Sequence, residues 1–376
     1  MASPNDFSAA TFSQDIVQLT LSAGQTETRL VLGHGVLDQA GAVLSSFQDA
    51  RLLIVSDTQV AQLYAEPLRH TLEQQGFRVE LLAIPAGESA KTIETLIQLY
   101  TRCQQLQVER RDMVLALGGG VVGDVAGMLA ATYLRGLNFV QIPTTLVAQV
   151  TASIGGKVGV NFGAQKNLIG TFNQPGLVLI DTDTLATLPE VEYRAGLGEL
   201  VTVGVLGAPD LFADLEVNGT RHLEQLILAA IQCKSAIVAA DPFDQLDIRA
   251  RLNLGHTFGH ALEQLSDFRL SHGLAVAIGL HIASRLAVAI GLCPAALADR
   301  IEQTLVALNL PTTIPGYTPE QIIAAMRGDK KQQHGRLRWI LPRALGQVEI
   351  VDEAQVPPPT LRAVLQSLVR SDGRES

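Results

Sequence analysis

The stretch RLNLGHTFGH, residues 251–260, concentrates side chains that could bind a metal ion. His256 and His260 are four residues apart, and residues at this spacing share one face of a helix. Two histidines so placed could bind one ion, as in zinc proteases, but those enzymes carry a glutamate directly after the first histidine. Thr257 stands at that position here. The residues alone therefore leave open which of these histidines, if either, binds a metal.

A second candidate site is the glycine-rich segment LALGGGVVGD, residues 115–124. Gly118, Gly120 and Gly123 match the spacing G-x-G-x-x-G between a predicted strand and a predicted helix, where a backbone can approach a pyrophosphate. The turn follows the third predicted strand rather than the first, and no acidic residue ends a strand about 20 residues later. Asp57, which ends the first predicted strand, could bind a ribose instead. A dinucleotide or phosphate site and an ordinary tight turn both remain open.

Three further segments place polar side chains after predicted strands. AGESAK (86–91) carries Glu88 and Lys91, and PTT (143–145) carries two threonines. SIGGKVGVNFGAQKNLIG (153–170) combines glycines with lysines and an asparagine, which suit phosphate groups. Each segment alone is a weak signal, because helix caps and solvent-exposed turns have the same composition. Together they favour an anion-binding site at the carboxyl edge of a parallel sheet.

The elements that would position these groups divide the chain into two parts. Up to about residue 190, predicted strands alternate with helices; the strands are 52–57, 78–85, 112–120, 138–145 and 176–185. Beyond it the pattern is helical, at 211–217, 222–240, 259–265, 275–290, 297–308 and 319–326. We therefore expect an α/β domain (1–190) with a Rossmann-like parallel sheet that binds the nucleotide, and a mostly α-helical domain (191–376) that binds metal and substrate. A ligand cleft between them is the natural site.

The composition argues against several classes of protein. The 376 residues are 47% hydrophobic, with a mean hydropathy of +0.23, which is typical of globular domains. A net charge of −9 and a pI near 5.4 argue against nucleic-acid or membrane-surface partners, which need a basic face. Three widely spaced cysteines fit a reducing cytosol and predict neither disulfides nor a cysteine-type zinc site.

No segment predicts export or membrane insertion. The N-terminal stretch has no basic residue before Arg29 and no apolar core, so we expect no signal peptide. The most apolar long run, 273–292, is interrupted by His281, Ser284 and Arg285. A charge in the middle of a membrane costs several kcal/mol, so this run predicts a buried helix.

From about residue 50 to about residue 350 the chain closely resembles the 3-dehydroquinate synthases of the shikimate pathway. The resemblance rests on motifs that follow one another in one order, which is far more specific than any single pattern. These motifs are GESAK, GGGVVGD, IPTTLVAQV, SIGGKVGVN, KNLIGTF, IDTDTLATLP, AGLGE, RARLNLGHTFGHALE, SHGLAVAIG and DKKQQHGRLRWILP.

The resemblance implies a phosphate-eliminating carbon–oxygen lyase that depends on NAD and a metal ion, works in the cytoplasm and is usually a homodimer. The substrate would be a small anionic sugar phosphate, 3-deoxy-D-arabino-heptulosonate 7-phosphate, and the products 3-dehydroquinate and phosphate. In this family NAD takes a hydride from the C5 hydroxyl, and the resulting ketone acidifies the neighbouring carbon so that phosphate leaves. The same cofactor returns the hydride, and the ring opens and recloses by aldol addition.

The resemblance also implies an answer to the question of the two histidines. Zinc, or cobalt, would be held by Glu199 in AGLGE, His256 in HTFGH and His272 in SHG. Two histidines and one carboxylate leave coordination positions open for substrate hydroxyls, as a catalytic zinc site requires, and the ion would act as a Lewis acid. His260 would then face the substrate and not the metal.

The remaining implied positions bind the substrate anion or the nucleotide. The substrate positions are Lys157, Asn167, Lys234, Arg249, Asn253, His260, Lys330 and Lys331, with Arg135 offered across the dimer interface. The NAD positions are Asp57, Glu88, Lys91, Gly119, Gly120, Val121, Asp124, Thr144, Thr145, Lys157, Lys166, Thr184, Leu185, Ala186 and Thr187. We assign recognition of the substrate carboxylate to Arg249 and Asn253.

Some positions depart from the family pattern. Thr151 replaces an aspartate in QVTASIGGK, Thr202 replaces a lysine in GELVT, and DTQ carries Gln59 where the family has asparagine. The segment DPFDQLDIR is also one residue longer than its counterpart. Loss of one acid and one base together suggests a coupled change.

These departures keep three alternatives to the synthase open. The first is a related sugar-phosphate cyclase that acts on a different sugar phosphate. The second is a homologue that binds NAD and zinc without turnover, and the third is a polyol dehydrogenase. Lys234, Arg249 and Asn253 favour the synthase, because a carboxylate-bearing substrate would need them.

Overall fold

The structure, a computed structural model, describes residues 16–163, 165–330 and 338–370, with the backbone alone at 328–330. The strands are β1 Val17–Ala23, β2 Thr26–Gly33, β3 Arg51–Asp57, β4 Arg78–Ile84, β5 Met113–Gly118, β6 Asn138–Pro143, β7 Lys157–Phe162, β8 Gln165–Phe172, β9 Leu177–Asp181, β10 Arg338–Ala344 and β11 Gln347–Asp352. The helices are α1 Ala40–Val43, α2 Thr58–Val60, α3 Glu66–Gln74, α4 Ile93–Gln105, α5 Gly120–Thr132, α6 Glu190–Gly207, α7 Pro209–Asn218, α8 Leu223–Ala240, α9 His256–Leu265, α10 His272–Ala289, α11 Ala295–Ala307, α12 Pro319–Lys330 and α13 Pro358–Leu368.

The chain forms two compact units. The N-terminal unit comprises Met1–Leu188 with Val238–Phe243, and the C-terminal unit comprises Pro189–Ile237 with Asp244–Ser376. The first is an α/β unit built on a mostly parallel sheet, and the second is mostly helical, so the predicted fold class is confirmed.

The N-terminal unit is organised by a seven-stranded sheet in the order β1-β2-β9-β6-β5-β3-β4. β1 runs antiparallel to β2, and the other neighbouring strands run parallel. β3 pairs with β4 on one side and with β5 on the other, so the order of the chain reverses beside it. The carboxyl ends of β3 and β5 form a topological switch point, where sheets of this kind bind ligands.

Both faces of this sheet are covered by apolar side chains. Along β3, Leu52 and Ile54 pack into one buried cluster, and Leu53 and Val55 pack into another on the opposite face. Alternate residues of a strand point to opposite faces, so a strand buried on both sides reads as one continuous apolar run. This is why β3, β5 and β9 could be predicted from the sequence.

Three hairpins and four helices were not predicted. The hairpins are β1–β2, β7–β8 and β10–β11, and the helices are the short α1 and α2 and the longer α6 and α13. The segment 153–170, interpreted above as a solvent-exposed turn or part of an anion-binding site, forms most of β7–β8. Gly159 and Gly170 pair across that hairpin, where a Cβ on Gly159 would lie 2.9 Å from the Ile169 carbonyl oxygen. Glycine here allows close strand pairing rather than a turn.

Helix α10 is the core of the C-terminal unit. Among the described residues, Leu223–Ala240 and His272–Ala289 are long and apolar enough to cross a membrane by length and composition alone. Of these windows, 28% and 78% respectively lie buried inside the protein. The prediction of a buried helix at 273–292 is therefore confirmed.

Glycines let α6 and α9 lie directly against the backbone of α10. A Cβ on Gly273 would collide with the Ala195 carbonyl oxygen, and one on Gly198 would collide with the Gly273 carbonyl oxygen. On the other side, a Cβ on Gly279 would collide with the Gly255 carbonyl oxygen, just before α9. No larger residue fits without separating the helices, because protein interiors have no spare volume at such contacts.

The substitution Gly273→Ala tests this close approach. We expect it to push α6 away from α10, to destabilise the protein by about 1–3 kcal/mol as overpacked cores do, and to lower the zinc content per chain. Thermal unfolding and elemental analysis after dialysis measure the two effects. Gly120→Ala is the control, because its Cβ would lie 3.4 Å from Cβ of Ala152, an ordinary contact. Full zinc content and an unchanged melting temperature in Gly273→Ala would contradict the expectation.

Candidate functional site

Three helices bring a carboxylate and two imidazoles together in the C-terminal unit. Glu199 lies in the middle of α6, and His256 and His272 are the first residues of α9 and α10. One ligand atom from each lies within 4.8 Å of the other two. Oε1 of Glu199 is 3.2 Å from Nε2 of His272 and 3.6 Å from Nε2 of His256. This donor set fits a catalytic zinc site, in which two histidines and one carboxylate leave a position open.

Hydrogen bonds on the far side of each imidazole fix its orientation. Nδ1 of His272 donates to Oε2 of Glu263 at 2.9 Å, and Nδ1 of His256 donates to the Leu254 carbonyl oxygen at 3.0 Å. Both Nε2 atoms are thereby left to face Glu199, an arrangement common among metal-binding histidines. Glu263 was missed from the sequence, although its place seven residues after His256 puts it on the same face of α9.

The charges of the cluster suit a cation. Burial opposes ionisation of the Glu199 carboxyl, but the hydrogen bond from His272 and the nearby charges of His256, His272 and Lys234 outweigh it and lower the pKa to about 2. Burial also disfavours the charged form of His272, yet its hydrogen bonds to Glu199 and Glu263 raise its pKa to about 10. A divalent ion at Nε2 of His272 would displace the proton from that nitrogen, and its positive charge would then neutralise the Glu199 carboxylate.

The spacing of His256 and His260 has the predicted consequence for geometry. Their ring centroids lie 5.5 Å apart on one face of α9. His260 also belongs to a second group with Glu263 and His272, whose ligand atoms lie within 4.8 Å of one another. In that group, however, the Glu263 carboxylate already accepts the His272 Nδ1 proton. The group with Glu199 is therefore the better metal site, and His260 lies beside it as an exposed imidazole.

In the N-terminal unit the glycine turn lies at the switch point of the sheet. β5 ends at Gly118, Gly119 caps α5, and the neighbouring β3 ends at Asp57. A Cβ on Gly119 would lie 3.1 Å from Cγ2 of Thr145, which is tighter than an ordinary contact. Oδ1 of Asp57 accepts hydrogen bonds from the backbone nitrogens of Gln59 and Val60, at 2.9 and 3.0 Å. The open N-terminus of α5 is thus placed where an anionic nucleotide group would bind.

Asn161 joins the predicted nucleotide residues of one loop to the β7–β8 hairpin. Its Nδ2 donates to Oε1 of Glu88 at 2.9 Å, and its backbone nitrogen donates to the Lys91 carbonyl oxygen at 2.8 Å. Its Oδ1 accepts from the backbone nitrogen of Asn167 at 2.9 Å. The buried Lys91 in turn pairs with Asp124 of α5. Sequence reasoning missed Asn161, because a polar residue inside a strand carries no distinctive signal.

Gln149 ties together the carboxyl ends of two further strands. Its buried Nε2 lies 3.3 Å from the Pro143 carbonyl oxygen, 3.1 Å from the Asp181 carbonyl oxygen and 3.1 Å from the Thr184 hydroxyl. The neighbouring Thr144 hydroxyl is buried and has no hydrogen-bond partner among the described residues. An unsatisfied buried hydroxyl is unusual, and a bound ligand would satisfy it.

The other predicted nucleotide residues occupy the same elements. Nζ of Lys166, on β8, lies 4.0 Å from Oε1 of Glu88. The Thr187 hydroxyl lies 2.6 Å from the Tyr64 hydroxyl, in the 3₁₀ helix Thr182–Thr187 that follows β9. The remaining positions are Gly120 and Val121 at the start of α5, Thr145 after β6, and Leu185 and Ala186 in that 3₁₀ helix.

The predicted substrate residues of the C-terminal unit surround the approach to α9. Lys234 of α8 lies near enough to Glu199 to lower its pKa. Arg249, which is 4% exposed, and the exposed Asn253 begin and end a 3₁₀ helix directly before α9. The side chain of Lys330 and all of Lys331 lie outside the described residues.

The predicted substrate residues of the N-terminal unit are more dispersed. Lys157 pairs with Phe172 at the base of the β7–β8 hairpin, whereas Asn167 lies towards its tip. Arg135 is exposed and follows α5, and both it and Leu134 have positive φ angles, 66° and 51°. Two successive non-glycine residues with positive φ angles store backbone strain, and such strain is common at functional sites.

The two threonines that depart from the family pattern are turned into their own helices. The Thr151 hydroxyl donates to the Val147 carbonyl oxygen, and the Thr202 hydroxyl donates to the Gly198 carbonyl oxygen, both at 2.9 Å. Thr202 is buried one turn after Glu199. Both side chains are thus uncharged, and each hydroxyl is hydrogen-bonded to a backbone carbonyl four residues earlier.

The fold and the site define a class of protein, in which an α/β unit with a glycine turn at its switch point is joined to a helical unit with a two-histidine, one-carboxylate cluster. A 2-epi-5-epi-valiolone synthase from Streptomyces hygroscopicus, solved with NAD⁺ and Zn²⁺ bound, has this fold: it is 32% identical, with a TM-score of 0.84 over 92% of this chain and 98% of that one. A 2-deoxy-scyllo-inosose synthase, 23% identical, shares the fold with a TM-score of 0.83 over 94% of this chain and 100% of that one.

Sequence comparison narrows the class to one family. The chain belongs to the 3-dehydroquinate synthase family: the N-terminal domain profile of that family matches residues 81–195, and the C-terminal profile matches residues 196–332. A 3-dehydroquinate synthase from Synechococcus sp. is 44% identical over 366 residues, 94% of this chain and 99% of the relative. One from Cereibacter sphaeroides is 41% identical over 94% of this chain and 98% of the relative.

The hydrogen bond from His272 to Glu263 predicts the effect of Glu263→Gln. The amide keeps the shape of the side chain but loses the negative charge, so we expect zinc to bind about 10–100-fold more weakly, as for other outer partners of metal-binding histidines. Competition with a chelator measures the zinc affinity. Glu216→Gln is the matched control, because Glu216 pairs with Arg300 on the surface of the same unit. Equal zinc affinity in the two variants would refute the role of Glu263.

Proposed function

We propose that this protein is an active 3-dehydroquinate synthase. It would convert 3-deoxy-D-arabino-heptulosonate 7-phosphate to 3-dehydroquinate and phosphate, with NAD and Zn²⁺ or Co²⁺ as cofactors. The observation that carries the proposal is the cluster of Glu199, His256 and His272, with Glu263 behind it. The family relationship over nearly the whole chain supports the same reaction.

The residues present fit both cofactors. Two imidazole nitrogens and a carboxylate suit a zinc or cobalt ion, and a solved relative is described with NAD⁺ and Zn²⁺ bound. The glycine turn at the N-terminus of α5 and the unsatisfied Thr144 hydroxyl offer hydrogen-bond donors to a dinucleotide. Asp57, already a cap for α2, would be the ribose partner.

The chemistry divides between the cofactors and the chain. When bound, NAD would accept and return a hydride, and the metal ion would polarise a substrate oxygen. The chain would hold the substrate through its anionic groups, with Arg249 and Asn253 assigned to the carboxylate. The other anion partners proposed are Lys157, Asn167, Lys234, Lys330 and Lys331. His260, an exposed imidazole beside His272, is suited to hold or move a proton at the substrate.

The wider setting of the enzyme is also a proposal. We expect a cytoplasmic homodimer in which Arg135 of one subunit reaches the substrate of the other. Its strained backbone and exposed position support that role. A small anionic substrate is compatible with a net charge of −9, because the cations are gathered locally.

Phosphate release from the heptulosonate phosphate tests the function directly. Purified protein with Zn²⁺ and catalytic NAD should release phosphate and form 3-dehydroquinate, identified by mass spectrometry, without accumulating NADH. His256→Ala should abolish this turnover and the bound zinc, while circular dichroism shows an intact fold. Fluorescence of Trp339, the one tryptophan, gives a second check of the fold.

Other outcomes of this assay would point to other functions. NADH that accumulates with substrate would indicate a dehydrogenase. Phosphate release from a different sugar phosphate alone would indicate a related cyclase, and the pair Thr151→Asp and Thr202→Lys would then ask whether synthase activity returns. NAD binding without any turnover would indicate a binding homologue. A zinc-free His256→Ala protein with full activity would refute the metal assignment.

Thr144→Val tests the nucleotide site. Valine keeps the shape but removes a buried hydroxyl that makes no hydrogen bond to any described residue, so the melting temperature should not fall. The Kd for NAD, measured by calorimetry, should rise about tenfold because a ligand hydrogen bond is lost. Thr304→Val is the control: its hydroxyl donates to the Arg300 carbonyl oxygen at 2.9 Å, so stability should fall and NAD affinity should not change. Unchanged NAD affinity in Thr144→Val would exclude this contact.

A further inference from the structure

The C-terminal unit contains a cavity that no part of the proposed reaction uses. It has a volume of about 660 Å³, within the range of sites that hold small molecules. Its walls come from the end of α6, from α8, from the 3₁₀ helix Arg249–Asn253 and from the turn between β10 and β11. The backbone nitrogen of Gly346 in that turn donates to the Val205 carbonyl oxygen of α6 at 3.0 Å, which fixes the turn as a wall.

The lining of this cavity combines apolar and charged side chains. Leu206, Ala236, Ile237 and Val348 provide the apolar surface. Two arginines and one glutamate provide the charge, a net +1; these are Arg251, Arg343 and Glu349. A cavity with this pattern suits a molecule that has an apolar body and one negative group.

The two arginines differ in how they are held. Arg343 pairs with Glu349 at 3.2 Å, and its side chain is 65% exposed, so the pair is weak and open to exchange. Arg251 makes no side-chain hydrogen bond or ion pair with any residue that the structure describes. Its guanidinium therefore offers its donors to a ligand, and a carboxylate matches their planar geometry.

The end of α6 restricts where a negative group can lie. Gly207 is the last residue of α6 and lines the cavity, so the C-terminal end of that helix, which carries partial negative charge, forms part of the wall. An anion is disfavoured there and favoured beside the arginines. A doubly charged group such as a phosphate monoester would exceed the net charge of +1, whereas a single carboxylate balances it.

We propose that this cavity is a binding site for a small organic monocarboxylate with an apolar body. The carboxylate pairs with Arg251 and with Arg343, and the apolar body covers Leu206, Ile237 and Val348. The site is distinct from that of the sugar-phosphate substrate, whose proposed partners Arg249 and Asn253 are other residues of the same 3₁₀ helix. The inference does not depend on the proposed reaction.

Cys233 provides a built-in reporter of occupancy. It lines the cavity and is partly exposed, whereas Cys103 and Cys293, the other cysteines of the chain, are buried. Burial raises the pKa of the Cys233 thiol, so alkylation by a maleimide should be followed at mildly alkaline pH. Mass spectrometry of the Cys233 peptide gives its rate separately from the other two.

The test compares two probes of nearly the same shape, 3-phenylpropionate and the neutral 3-phenylpropanamide. The carboxylate should slow alkylation of Cys233 in a concentration-dependent way, and the amide should need a concentration about tenfold higher, because a hydrogen bond to a charged group is the stronger one. Saturation-transfer NMR of the same two probes provides a second measure that needs no thiol chemistry. Absence of binding by both methods, or equal binding of the two probes, would overturn the proposal.

Substitutions test whether Arg251 binds the carboxylate of the probe. Arg251→Gln should raise the half-protecting concentration of 3-phenylpropionate about tenfold, and Arg221→Gln, an exposed arginine that does not line the cavity, should leave it unchanged. If 3-phenylpropionate protects Cys233 in the Arg251→Gln variant as well as it does in the unsubstituted protein, the carboxylate does not bind at Arg251 and the proposal fails. None of these readouts involves turnover, so a failure of the proposed reaction would not affect them.

Discussion

The close approach of α6, α9 and α10 is the constraint on which the metal cluster depends. Each of the three proposed ligands has a neighbouring glycine at a point where two backbones meet: Gly198 beside Glu199, Gly255 beside His256, and Gly273 beside His272. Gly255 also adopts a left-handed φ of 78° that turns the chain into α9. Helix axes are ordinarily 8–10 Å apart, and the glycine contacts allow these three helices to approach one another more closely. The proposed ligands are thus positioned by backbone contact, and Glu263 orients His272.

The sequence predicted the parts of the fold that have a clear period. β3, β5 and β9 are continuous apolar runs buried on both faces, and α10 is a long apolar helix, so they were predicted near their observed positions. Helix α6 was missed because its glycines lower helix propensity, and these glycines exist for tertiary contacts that a single sequence does not reveal. The hairpins were missed because the pairing of their strands depends on contacts between residues that are not adjacent in sequence. The pairing of Gly159 with Gly170 in β7–β8 is an example.

The candidate site was predictable from motifs only in part. His256 and His260 suggested a metal from their spacing, but the choice of Glu199 and His272 as partners needed the family resemblance, since neither residue has a local signal. Glu263, Asn161 and Gln149 act through other residues, and each is an ordinary polar residue in its own segment. Their roles follow from contacts across 9, 73 and 35 residues of chain, respectively, which only the fold brings together.

We propose that Glu199, His256 and His272 hold one divalent ion. The most direct measurement is a crystal structure of the zinc-loaded protein with diffraction recorded on both sides of the zinc absorption edge. We expect one anomalous peak bonded to Nε2 of His256, Nε2 of His272 and a carboxylate oxygen of Glu199, with zinc–nitrogen distances of about 2.0–2.1 Å. A peak bonded to His260 with Glu263, or bridging His256 and His260 without Glu199, would contradict it.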